Sequence, residues 1–141
     1  MKFAAIPAAA LFLFAAPLQA ETYDVKMFNR AESGPMTYEP AFLHIAPGDT
    51  VRFLPAQSSH NAATIEGMIP EGAIPFKSKI NETFSVTLTV PGSYGIKCSP
   101  HFAMGMVMLI EVGDAPAPGL PADLPARARS RFEAILAAHP Q

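Results

Sequence analysis

Tyr94-Gly95-Ile96-Lys97-Cys98-Ser99-Pro100-His101-Phe102-Ala103-Met104-Gly105-Met106 is the stretch from which the fold is read. Tyr94 and Ile96 alternate with Gly95 and Lys97, the two-residue period of a strand, and Cys98 is next in phase. The thiol is therefore expected to point inward at the end of a strand. An irregular loop follows, and Val107 to Val112 reads as a closing strand. Met106, Met108, Ile110 and Val112 line one wholly apolar face, while Val107, Leu109 and Glu111 include a charge, so Met106 is expected to face the interior.

Working outward, the same period recurs. Tyr23, Val25 and Met27 alternate with Asp24 and Lys26, and Phe84, Val86, Leu88 and Val90 alternate with Ser85, Thr87 and Thr89. The apolar runs Phe42 to Ile45 and Thr50 to Leu54 flank the turn tripeptide Pro47-Gly48-Asp49, and Pro91-Gly92-Ser93 turns the chain again. Short strands separated by such turns predict an all-β chain folded as a β-sandwich. One helix is expected at the end, from about Pro125 to Ala138, since Pro125 suits a first helical turn and Phe132, Ile135 and Leu136 form an apolar stripe. Arg127 and Arg131 sit one turn apart on a wetter face. Pro116 to Pro121 reads as a stiff connector, which makes residues 115–141 a tail packed on the body 21–114 and not a second domain.

The first residues have a different character. Met1-Lys2 is a short basic start, Phe3 to Ala16 is almost wholly apolar, and Pro17-Leu18-Gln19-Ala20 ends on a small residue. That is the layout of a signal peptide over 1–20, cleaved after Ala20. Pro7 and Pro17 interrupt a run already shorter than the roughly 20 apolar residues a spanning helix needs, which disfavours an anchor. Removing the leader and Lys2 leaves nine basic against twelve acidic residues, a net −3 with no membrane attachment expected. A strong basic excess is missing, so nucleic acid is not an expected partner.

Cys98 is the only cysteine, so no disulfide can form within the chain. In an oxidising compartment a lone thiol is a hazard unless it is buried, metal-bound or catalytic. His101 follows it by three residues and Met106 follows His101 by five, while Ser59-His60-Asn61 brings a second imidazole from an upstream loop. Thiolate, imidazole and thioether are soft to borderline donors. Two histidines and a cysteine with a distant axial methionine suit a copper ion that cycles between Cu(I) and Cu(II). Met104 is the rival to Met106; the inward phase favours Met106. His44 within a strand and His139 near the chain end are read as non-ligands, the latter as inert. Two other functions use the same residues: copper storage or delivery from an open, methionine-rich site, and an enzyme with Cys98 as nucleophile and His101 or His60 as base.

The spacing of Cys98, His101 and Met106 with His60-Asn61 upstream resembles the cupredoxins. Pro47-Gly48-Asp49, Gly67-Met68-Ile69-Pro70, Phe76-Lys77-Ser78-Lys79-Ile80-Asn81 and the C-terminal helical tail are similar to the pseudoazurin branch of that family. The resemblance implies an eight-stranded Greek-key sandwich, one type 1 copper ion and a bacterial periplasmic location. It also implies electron exchange with partners such as copper nitrite reductase or c-type cytochromes. A monomer suits a mobile shuttle, and an inward, strand-end thiol with a methionine nearby and no evident substrate cleft disfavours an enzyme. The family carries two helices in the tail; the proline-rich start here leads us to expect the first to be curtailed.

Further roles follow around the ligands. Asn61 is expected to hydrogen-bond across the ligand loops and hold His60 near the thiolate. Pro100 has no amide hydrogen and cannot donate to the cysteine sulfur, which would keep electron density there. Phe102, Ala103, Met104 and Gly105 carry no charge and predict an apolar patch around His101. Lys77, Lys79 and Lys97, with Met104, are the expected docking residues, the lysines steering an acidic partner.

Overall fold

The computed structural model describes residues 18–140, so most of the expected leader, residues 1–17, lies outside the described residues. Eight strands form two four-stranded sheets. In chain order they are β1 (Thr22–Ala31), β2 (Gly34–Glu39), β3 (Phe42–Ile45), β4 (Asp49–Pro55), β5 (Ala63–Thr64), β6 (Phe84–Leu88), β7 (Gly92–Lys97) and β8 (Val107–Val112). A 3₁₀ turn, Ser99–Met104, separates β7 from β8, and α1 (Ala126–Ala138) ends the chain. One sheet runs β2-β1-β4-β6 and the other β3-β8-β7-β5. The pairs β1/β4 and β3/β8 are parallel and the rest antiparallel. Successive strands cross repeatedly between the sheets, as the sandwich expectation requires.

The alternating residues do what their period predicts. Val25, Met27, Val51, Phe53, Leu88, Tyr94, Ile96, Met108, Ile110 and Val112 fill one core between the sheets, and Cys98 and Met106 close its end. Two strands had no readable period. β5 is too short to show one, and β2 contains Gly34-Pro35 and a non-glycine residue in the left-handed region, Met36 at φ 49°.

β8 is covered on both sides: although one of its faces carries the charged Glu111, all six residues are buried. Val107 and Leu109 pack against Leu124, Ala128, Phe132 and Ile135 in a second core built with the tail helix. A strand covered on both faces no longer needs alternation. The helix starts one residue later than expected, with Pro125 as its cap, and no helix precedes it in the tail. His139 is not an inert end: its ring stacks on Phe42 at 3.9 Å and 15°. His44 is exposed, with a ring nitrogen 2.8 Å from the Gly113 carbonyl.

Candidate metal centre

Three loops meet at one end of the sandwich. Cys98 directly follows β7, where the strand phase continues and turns its side chain into the core. The 3₁₀ turn carries His101 back over it, tied by the His101 amide to the Cys98 carbonyl at 3.2 Å. The Met106 amide then donates to the His101 carbonyl at 3.1 Å, and the Cys98 amide to the Met106 carbonyl at 3.0 Å. These bonds lock Cys98, His101 and Met106 into one compact loop. Gly105, at φ 86°, makes the reversal between them, and a Cβ there would meet the Arg127 carbonyl at 2.9 Å. Glycine is thus required twice over, by backbone conformation and by the closeness of α1.

His60 reaches the same point from the loop between β4 and β5. Asn81, itself at φ 63°, accepts from the Ser59 amide through Oδ1 at 2.6 Å and donates its own amide to the His60 carbonyl at 2.9 Å. Asn61 performs the bridging expected of it. Its Oδ1 accepts from the Ser99 amide at 2.7 Å, and its Nδ2 donates to Ser99 Oγ and to the Ser78 carbonyl. The buried Tyr38 hydroxyl donates to the Asn61 carbonyl at 2.7 Å. Asn81, Tyr38, Ser78 and Ser99 therefore belong to the support of the site. Sequence reasoning missed these roles because each depends on contacts 17 to 38 residues away in the chain or on an αL backbone.

The ligand atoms converge. His60 Nδ1 lies 3.7 Å and His101 Nδ1 3.5 Å from Cys98 Sγ, and all three fall within 4.8 Å of one another. Zinc, a neighbouring first-row ion, takes nitrogen at about 2.0–2.1 Å and thiolate at about 2.3 Å, so donors in a trigonal plane around such an ion stand roughly 3.7 Å apart. The observed spacing fits. His60 is fully buried with Nδ1 toward the sulfur, while its Nε2 has no hydrogen-bond partner. Packing thus orients this ring for the thiol side. Met106 is also fully buried and belongs to the same core cluster as Cys98, whereas Met104 is 43% exposed, which separates the two methionines as the strand phase predicted.

The electrostatics favour a soft cation over free charge. Burial, then the neighbouring His101, holds the His60 imidazole below its usual range, so it stays a neutral base with a lone pair to give. Burial pushes the Cys98 thiol up, and the backbone amides of Asn61 and His101 pull it part of the way back. Metal binding would supply the missing positive charge and release the thiol proton. His60, Cys98 and Met106 are sealed, and only His101 is partly open to solvent. That closure is unlike the open site a storage or delivery protein wants.

The copper-binding plastocyanin/azurin family model matches residues 25–113. A pseudoazurin of Paracoccus pantotrophus is 51% identical over 136 residues, covering 94% of each chain. The chain belongs to the pseudoazurin family. The crystal structure of pseudoazurin from Methylobacterium extorquens superposes with a TM-score of 0.74 at 36% identity, covering 83% of this chain and 98% of that one. That from Hyphomicrobium denitrificans gives 0.74 at 30% identity over 85% and 99%. Pseudoazurin-family chains are type 1 copper proteins that carry electrons and are not enzymes, and His60, Cys98, His101 and Met106 of this chain are positioned as such a site.

The docking candidates are placed unevenly. Of the four residues expected to form an uncharged patch around the half-buried His101, Ala103 and Met104 are exposed and Phe102 is half-buried, whereas Gly105 is buried under α1; Pro100 is exposed beside them. Lys97 and Lys77 flank Ala63, one paired on each side of it, and the Lys97 ammonium lies 4.9 Å above the Phe102 ring. Lys79 is exposed, but its amide is capped by the Glu82 carboxylate at 2.8 Å, which places a negative charge next to it. Among the described residues, no helix is long and apolar enough to cross a membrane.

Proposed function

We propose that the chain is a monomeric periplasmic shuttle for single electrons, exported by residues 1–20 and folded over 21–114 with the tail 115–141 packed on the same body. His60 Nδ1, His101 Nδ1 and Cys98 Sγ would hold one copper ion, with the Met106 thioether as the fourth donor. The convergence of the three donor atoms at 3.5 and 3.7 Å carries this reading. Copper bound there supplies reversible one-electron redox chemistry. The chain's part is to hold the donors in one arrangement through both oxidation states, so that little rearrangement opposes transfer. Asn61 keeps the two ligand loops together, and His101 brings a ring edge to the uncharged patch where a partner meets it. Lys77, Lys97, Met104 and, less strongly, Lys79 receive that partner, for which a periplasmic copper nitrite reductase or a c-type cytochrome is suitable. Such encounters are small and short-lived.

The test is the visible spectrum of the copper-loaded protein. An intense thiolate-to-Cu(II) band that bleaches on reduction is expected, and a colourless loaded protein would refute the ligand set. Export is checked by the mass of the secreted form, expected to start at Glu21. Pro100→Ala adds an amide close to the sulfur and is expected to raise the reduction potential; an unchanged or lower value would remove Pro100 from the tuning set.

A further inference from the structure

A groove of ≈ 560 Å³ lies beside the ligand loop, lined by Pro35, Met104, Ala126, Arg127, Arg131 and Ala134 among others. None of its lining residues is acidic. Arg127 and Arg131 stand four residues apart on α1, a spacing at which like charges repel across one helical turn. Arg131 is occupied: its guanidinium donates to the Met36 carbonyl and, at 2.7 Å, to that of Pro35. Arg127 is exposed, and among the described residues no carboxylate pairs with it. Its backbone is fixed, because the Arg127 carbonyl packs closely against Gly105. An uncompensated cation therefore rises from a fixed stretch of backbone in the same groove as exposed Met104, three residues beyond His101.

We infer that this groove is a second docking site, which takes a carboxylate-bearing segment of an acidic redox protein against Arg127 while Met104 and the His101 edge meet its uncharged surface. The inference rests on the carrier reading above and deepens it. The lysines of the β5–β7 side cannot serve this groove, since none lines it. The occupant is a peptide carboxylate because apolar side chains, Pro35, Met104, Ala126 and Ala134, surround the charge, matching a side chain with an apolar stem and an anionic end. Without Arg127 the partner would lose one of its charged contacts but none of the electron path.

The test uses the full copper-loaded chain, wild type, Arg127→Gln and Arg127→Glu. Arg131 is left alone because it braces β2. The visible band and reduction potential are expected to be unchanged, which separates docking from damage to the site. The reduced protein gives one electron to hexacyanoferrate(III), leaving hexacyanoferrate(II). Arg127→Glu is expected to slow this anionic oxidant roughly two- to fivefold at low salt. It should not slow the cationic tris(phenanthroline)cobalt(III), and the contrast should vanish at about 1 M salt. In the wild type, hexaglutamate is expected to shift the amide NMR signals of Met104, Arg127 and Ser130, and Arg127→Glu should abolish those shifts. Equal rates with the anion and hexaglutamate shifts confined to Lys77 and Lys97 would overturn the inference while the blue colour still upheld the carrier reading. A sedimentation change from dimer to monomer in Arg127→Glu would also overturn it, by making the occupant a second copy. If the wild type lacks the thiolate band, the carrier reading fails, and the peptide shifts report on the groove independently.

Discussion

Two pairs of histidines lie in this molecule and only one of them makes a metal site. His60 and His101 have ring centroids 5.0 Å apart and both turn Nδ1 to a buried thiol. His44 and His139, which line a separate groove with Phe42 and Gly113, are tied elsewhere, one to a backbone carbonyl and the other to an aromatic face. The first pair is locked by Asn61 and Asn81 on loops that the sandwich brings together; the second sits on a strand and a helix end that pack for stability. Residue type does not distinguish the pairs. The third, soft donor and the exclusion of water do.

The sharpest way to break this contrast is Cys98→Ser, expected to abolish the intense visible band of the copper-loaded protein completely, whereas His44→Ala and His139→Ala should leave band and potential unchanged. Loss of colour in either of the latter would erase the distinction between the pairs.

Asn61→Ala comes next. It removes one acceptor and two donor contacts between the ligand loops, leaving the Ser99 amide and the Ser78 carbonyl short of partners. A loss of about 2–4 kcal/mol is expected in urea unfolding of the metal-free protein. A loss under about 0.5 kcal/mol would mean the loops hold without this bridge.

A smaller effect follows from titration of the metal-free chain. His60 is held below its usual range, so between its folded pKa and about 6.5 the unfolded chain binds more protons, and stability is lost as pH falls below about 6.5. Cys98 is pushed the other way. Above about pH 8.5 the unfolded thiol ionises first, so stability is also lost as pH rises. Urea midpoints between pH 5 and 10 should therefore form a dome, with His60→Gln flattening its acid side. An acid side that persists in the variant would place the titrating group elsewhere.

The least effect is expected from His139→Ala, which deletes the stack on Phe42 and costs about 0.5–1.5 kcal/mol, read as a lower melting temperature with an unaltered spectrum. No change would return His139 to the inert role its position near the chain end suggested.

Much of the molecule could be read in one dimension. Alternation along β1, β6, β7 and β8 was legible because each strand has at least one face in the main core, and burial on one face imposes a period of two, while β3 and β4 were read as apolar runs on either side of a turn. The Cys98, His101 and Met106 spacing was legible because a single short loop supplies all three groups. Asn61 was found through its neighbour His60.

Other features were settled by what lies across space. β8 loses its polar face because α1 covers it, and no local pattern in the strand announces a cover that arrives some twenty residues later. The choice of nitrogen on each imidazole, the Asn81 clamp and the unpaired Arg127 next to Met104 likewise depend on separate segments meeting. Chain chemistry specified which donors exist and which way each strand faces, since both follow from local covalent geometry. Their convergence on one point, and the basic groove beside it, required the packing of two sheets and a helix, because distances between remote residues are set by the fold as a whole.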